Sequence, residues 1–460
     1  MLSRTEPFAT TGPWAPYQPS DDAPWNLRRV VHLHRRAGFA ATWNEIQRDL
    51  QDGPGTSVYR LLAGKARSQG VPENFEPTAA LLADSAKDVE RLKAWWVYRM
   101  LFGPDPLTER LTLLWHNHFA TSAAKVTDVQ ILRRQNSIFR ELARAPFGAL
   151  LERVVRDPAL LLWLDAPANR KEHPNENLGR ELLELFTLGI GHYTERDVKE
   201  AARALTGWTV VDKKFREDAA QHDPGDKTIL GKKGAWKGSD LVQIVLAHPA
   251  TARRLAWRLW QQFMGEPVDA AAVDALATGL RQHNLDIGWA TGIVLRSQSF
   301  FASANLGNQI LGPIEYVVGS ARLLELFDQP LSTLVLADWA ARLGQELFYP
   351  PNVGGWAGGR NWIGTQSMIG RMNYAASLVG GGLSRGREPL NAEALAKRHG
   401  QGNDLDTLIA FYAELVFGAV PSSAWHESLL AALGPNAKAT PENARRIAIR
   451  ILSSPQAQVN

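Results

Sequence analysis

A chain of 460 residues with 45% hydrophobic content can bury a large core, which excludes wholesale disorder and leaves room for two or three structural units. Its 51 basic and 47 acidic residues nearly cancel to a formal net charge of +4, with no long Lys/Arg run, so nucleic acid is not an expected partner. There is no Cys, which excludes disulfides, thiolate metal sites and cysteine nucleophiles, and no apolar run is long enough to cross a bilayer.

Residues 1–24 are rich in Pro, Thr and Ser and are expected to form an extended arm. They lack the basic start and apolar core of an export signal, so the chain as written is expected to stay in the cytoplasm. The first helix runs from Trp25 to Gly38. Its His32 and His34 point about 200° apart, which makes a shared metal improbable and packing roles the expectation. A second amphipathic helix spans Val89–Phe102, and Leu107 opens a third that ends in TrpHisAsnHisPheAlaThrSer. There His118 projects with Leu111, Leu114 and Trp115 toward the interior, whereas His116 projects with Glu109 and Thr112. An inward His beside Asn117 is either an acid, base or ligand, or a hydrogen-bonded core residue.

Helices from Gln130 to Ala145 and from Phe147 to Arg156 lead to Asp165, at the mouth of a loop entering the densest polar stretch, His173 to Thr209. Here Leu178, Leu182, Leu183, Leu185 and Phe186 share one helical face, and Asn177, Arg180, Glu181, Glu184 and Thr187 the other. Gly189 and Gly191 end this helix, and Thr194 with Asp197 forms a capping box for the next. That second helix buries Val198, Ala201, Ala202 and Leu205 and closes at Gly207 before Trp208. Exposed carboxylates are the rule on helices, so Glu181 and Glu184 can also be read as a plain solvated face.

Beyond Trp208 the pattern alternates as a strand, with LysThrIleLeuGly as its antiparallel partner and His222, Asp223, Asp226 and Lys227 on the connection. Helices resume with Pro249 in a first turn and Leu255, Leu259 and Phe263 inward, and four more lead up to Leu347, for roughly ten or more in all. A Pro/Gly-rich segment then carries Trp356, Arg360, Asn361 and Trp362, which either bind substrate or plug the end of a helix bundle. Gly380–Gly382 is the expected boundary between a core domain, residues 25–379, and a C-terminal helical segment, residues 380–460. The fold class is therefore all-α: a large multi-helix bundle or orthogonal helical array with a small β-hairpin insertion near residues 208–235.

Four phrases, Trp115–Ser122, Asn175–Gly189, His192–Val198 with Leu205–Trp208, and Pro350–Trp356, resemble a bacterial family catalogued as domain of unknown function 1800, in motif order from about Leu27 onward. The resemblance implies relatives that are periplasmic or exported and are encoded beside a sulfatase-like or phosphatase-like protein, but no established activity. HisProAlaThrAla (residues 248–252) and SerGlnSerPhePhe (residues 297–301) are more weakly similar to helical domains of large planctomycete surface proteins.

These residues support two functional expectations. In the first the chain is a hydrolase of a carbohydrate or related ester, because Trp beside Gly offers flat faces to sugar rings. Its candidate catalytic residues are Glu181, Asp223, His118 and Asp165. The candidate substrate-binding residues are His116, Asn177, Arg203, Trp208, His222, Trp356, Arg360 and Trp362. Glu184, joined by Glu181, His118 and Asp223, is the candidate ligand set for a divalent metal ion. In the second, the same residues form a satisfied polar network in a non-catalytic helical binding or assembly protein. No nucleotide-binding loop, serine elbow or HisGluXaaXaaHis motif is present.

Overall fold

The computed structural model describes residues 11–327, 331–383 and 386–460. Among them are 22 α-helices and two small antiparallel two-stranded sheets, so the chain is mainly helical, with the strands confined to one insertion. Of the N-terminal arm, residues 1–10 lie outside the described residues. Trp14 and Tyr17 are buried, and the arm lies along the domain: Trp14 Nε1 donates to the Ala272 carbonyl at 2.8 Å, and the Tyr17 amide to Arg296 at 2.8 Å.

Two apolar clusters divide the interior. One gathers Leu107, Leu111 and Trp115 with Leu178, Leu182 and Phe186 and with Leu255, Leu259 and Phe263. The other joins Trp95, Trp96 and Met100 to Tyr316, Tyr374, Leu408, Tyr412 and Ile447, so residues beyond Gly382 share a core with early helices. The helix Pro106–His118 belongs to both, since Leu113 faces the second cluster and Leu111 the first. That double burial corrects the expectation for His116. Its companions Glu109 and Thr112 are buried too, because Arg140, Arg99 and Trp96 bind the Glu109 carboxylate (2.6, 3.2 and 3.0 Å) and turn a charged face into an internal one.

The insertion also differs from expectation. Trp208–Val211 pairs with Lys214–Glu217, and Lys227–Ile229 with Lys232–Gly234, giving two hairpins in place of one. Each closes on a two-residue turn with both φ angles positive, Asp212–Lys213 (50° and 60°) and Leu230–Gly231 (49° and 79°), the twist that tight hairpins favour. Asp-Lys lacks the usual Asn-Gly signature, so the nearer pairing was easy to miss.

Candidate functional site

The acidic stretch starts as the α-helix Asn177–Glu181 and continues as a π-helical turn, Leu182–Thr187. The Leu188 amide reaches back to the Leu183 carbonyl at 2.9 Å, and Thr187 Oγ1 donates to Leu182 at 2.6 Å. Leu178, Leu182, Leu183 and Phe186 are buried as the apolar face requires, Leu185 is half-buried, and Gly189 and Gly191 end the segment with positive φ. A π turn inserts an extra residue and rotates the side chains that come after it. Such turns occur often at functional sites, and hydrophobic periodicity did not foresee this one.

On the polar side Glu181 is half-buried and, among the described residues, has no hydrogen-bond or ion-pair partner. Burial pushes its carboxyl up to about 6, the charge of Glu184 adds to that, and Arg180 opposes it. Arg180 is itself held by Glu195 (2.7 Å) and Glu176 (3.0 Å), so it is not free to neutralise Glu181. Glu184 accepts the Tyr193 hydroxyl, and that phenol is pushed up to about 12 by burial and by this bond.

Beneath the turn lie two arginines that the sequence reading missed, Arg254 and Arg258. They are spaced one helical turn apart on Pro249–Phe263, which was their only signal. Arg254 Nη2 donates to Leu185 at 3.5 Å, and the buried Nε atoms of both arginines lack partners. Burial lowers both guanidinium groups, Arg258 to about 10. His118 meets the turn from the aromatic side: its Nε2 donates to the Phe186 carbonyl at 3.0 Å while its ring packs on Trp115, Phe119 and Phe147. Burial, then Arg258 and Arg254, hold it well below the usual histidine range, so it is a neutral donor to the backbone behind Glu181.

Asp165 does come to the motif. Its backbone is left-handed (φ 56°), Lys125 Nζ sits 2.7 Å from Oδ1, and Asn177 Nδ2 donates to Oδ2 at 3.4 Å. Lys125 was not singled out from the sequence.

Asp223 does not belong to that face. Arg203 grips it through Nε (2.7 Å) and Nη2 (3.2 Å), the Gly225 amide adds a bond of 2.8 Å, and these contacts lower the carboxyl. His222 Nδ1 lies 3.1 Å from the Thr206 carbonyl, and Lys227 Nζ binds the Asp223 and Gly225 carbonyls at 2.6 and 2.8 Å. Trp208 is buried, with the Arg156 guanidinium 5.6 Å from its ring. Leu230 and Thr228 donate to Asp197 (2.7 Å) and Glu200 (3.2 Å), so the hairpins dock on helix Glu195–Ala204 and not over the Glu181 face.

The Trp356 loop plugs the other side. The Trp356 amide donates to Asn117 Oδ1 (2.7 Å), and Asn117 Nδ2 to the Trp356 carbonyl (3.2 Å). At Gly355 (φ 75°) a Cβ would stand 2.1 Å from Asn117 Oδ1, so glycine is required. His116 Nε2 accepts from the Phe348 amide at 3.2 Å, its ring centre is 5.9 Å from that of Trp356, and burial pushes it down to about 3. Trp356 is 8% exposed, Trp362 half-buried and Arg360 exposed, so only the last two still face solvent.

Among the described residues no three His, Asp or Glu converge as metal ligands, and the set of Glu184, Glu181, His118 and Asp223 is not assembled. Asp223 is taken by Arg203, and His118 gives one ring nitrogen to a carbonyl. No described helix is long and apolar enough to cross a membrane.

A family profile described as "Protein of unknown function (DUF1800)" matches residues 32–459. No curated protein and no solved structure matches the chain significantly.

Proposed function

The chain belongs to the DUF1800 family, and since that description supplies no activity we propose a reading of our own: a hydrolase of a carbohydrate or related ester in which Glu181 handles the proton. One observation carries it. The Glu181 carboxyl is partly buried, lacks a partner and is poised at about 6, where both its forms are populated near neutral pH. In this reading protonated Glu181 gives its proton to the leaving oxygen as that bond breaks. Water supplies the hydroxyl to the other fragment, and its released proton restores the acid. Glu184, fixed by Tyr193, keeps negative charge beside Glu181 and so favours its protonated form. Asn177, with Asp165 and Lys125 bound in series, lies one turn earlier and offers polar contacts to substrate. Trp362 and Arg360 are the sugar-facing candidates. No step runs through a metal, because the donors do not fit one.

The non-catalytic reading has its own support: Asp223, His222, His118, His116 and Trp356 make backbone bonds or ion pairs typical of a scaffold. Glu181 separates the two readings, because an unpaired carboxyl costs stability instead of adding it. Chromogenic glycosides and esters should be screened with wild type and Glu181→Gln. The catalytic reading expects turnover that falls about 100-fold or more in the variant, with the melting temperature kept or raised. Absence of turnover across the panel, or equal turnover by both proteins, overturns it.

A further inference from the structure

A second site is built by elements that take no part in the Glu181 turn. The helices Val129–Glu141 and Phe147–Val154, the bend at residues 156–158 and the turn of the first hairpin surround a hollow of ≈ 340 Å³. That volume lies within the range of small-molecule sites, roughly 300 to 1,000 Å³. Ile138, Pro158 and Phe215, all half-buried, give it an apolar wall.

The rest of the lining is mostly cationic. Arg134, Arg153, Arg156, Lys213 and Lys214 arrive from three separate elements, against two carboxylates, Glu152 and Asp157. Lys213 is spent on Asp128 at 2.5 Å, a bond that ties the hairpin turn to the start of helix Val129–Glu141. Arg156 is held in place by aromatic rings: its guanidinium lies 5.6 and 5.9 Å from the ring centres of Trp208 and Phe215, and only Nη1 is bonded, to the Glu152 carbonyl at 3.4 Å. Arg134, Arg153 and Lys214 are exposed, and among the described residues their side chains make no hydrogen bond or ion pair. The two carboxylates offset them poorly. Asp157 is 2% exposed, its Oδ1 takes the Gln135 side chain (2.8 Å) and the Ala159 amide (3.0 Å), and burial pushes its carboxyl up to about 7. Glu152 is turned to Gln243, from which it accepts at 2.8 Å. Water can solvate each cation singly, but it leaves their like charges uncompensated. A concave wall of one sign focuses its field and gathers counter-ions, and in a chain whose basic and acidic residues nearly balance this excess is local.

We propose that this hollow binds a small organic polyanion, a flat apolar body with two or more negative charges at its edge. Each uncommitted cation takes a counter-charge of its own, so no single group has to reach them all. A neutral ligand leaves the cations as they are, and a monoanion answers only one of them. An inorganic anion answers charge but leaves the wall of Ile138, Pro158 and Phe215 in water.

The test uses the full chain at low salt and one ring bearing three, two or one carboxylates, as trimesate, isophthalate and benzoate, titrated by ligand-observed NMR. Trimesate should bind saturably, with a dissociation constant of about 1 mM or tighter, and each carboxylate removed should weaken binding by about threefold or more. High salt should abolish the difference. Tricarballylate, an aliphatic tricarboxylate without the ring, should bind at least about threefold more weakly than trimesate. Variants fix the location. Arg153→Gln and Lys214→Gln change exposed side chains, so each should keep the melting temperature and weaken trimesate by about threefold or more, whereas Lys65→Gln, an exposed lysine outside the hollow, should change nothing. The proposal is overturned if benzoate or tricarballylate binds as well as trimesate, if Arg153→Gln and Lys214→Gln both bind it as wild type does, or if Lys65→Gln weakens it as much as they do.

Discussion

The Glu181 turn and the Asp223 clasp are made from the same residue types, adjoin the same helix and come to opposite electrostatic ends. Asp223 is gripped at both oxygens by Arg203, and its carboxyl is lowered. Glu181 has an arginine next to it in sequence, but that arginine is committed to Glu176 and Glu195, and its carboxyl is raised. Carboxylates that hold a fold together and carboxylates available for chemistry thus differ in what their arginines are doing. The two also respond oppositely to acid. The clasp adds stability above the ordinary aspartate range and loses it as pH falls through its lowered value. The turn is penalised above pH 6 and relieved as pH falls from about 6 toward 4.5, because the folded state then holds the extra proton.

The largest expected effect lies at the base of the clasp. Gly207 has φ 84°, and a Cβ there would stand 2.4 Å from the Asp218 carbonyl, so Gly207→Ala should cost roughly 3 kcal/mol by denaturant titration. An intact melting curve in that variant would mean that the hairpins are not locked to the helix as described. Next comes Asp223→Asn. It leaves Arg203 paired only with Glu200 and should cost about 2 kcal/mol at pH 7, a cost that shrinks as pH falls below the ordinary aspartate range and through the lowered value of the Asp223 carboxyl. Its turnover should match wild type once folding is controlled for, which separates clasp from site.

Glu181→Gln has the opposite sign. Removing a carboxyl held at about 6 should raise stability at pH 7 by about 1 kcal/mol after allowance for solvent screening, and flatten the change in melting temperature between pH 4.5 and 6. A variant less stable than wild type at pH 7 would mean that Glu181 has a partner and belongs to the scaffold.

Local periodicity carried much of this in advance. The capping box at Thr194 and Asp197 forms, the helix from Pro249 buries Leu255, Leu259 and Phe263, and Asp165, placed by its nearness in sequence and not by periodicity, reaches the Asn177 helix. What it could not carry was pairing across the chain. Whether Arg203 or Arg180 is free, whether the Glu109 face of a helix is covered by Arg140, and that Asn117 holds the Trp356 loop each depend on at least one partner 15 to 239 residues away. The π turn escaped for a different reason. One extra residue in a turn leaves the apolar spacing of Leu178, Leu182, Leu183 and Phe186 readable as an ordinary helix.

The smallest expected effect tests how the two glutamates are coupled. Tyr193→Phe removes the hydroxyl that fixes Glu184, a half-buried contact worth about 0.5 kcal/mol. In the wild-type background some of that loss is returned, because a released Glu184 can swing away from Glu181 and relieve the repulsion that helps raise the Glu181 carboxyl. In the Glu181→Gln background there is no charge to retreat from, so the same substitution should cost its full value. The double-mutant cycle should therefore give a coupling of a few tenths of a kcal/mol, with Tyr193→Phe more damaging in the Gln background than in wild type. Strict additivity would mean that Glu184 is held in place by something other than Tyr193, and that its charge reaches Glu181 whether or not the phenol is present.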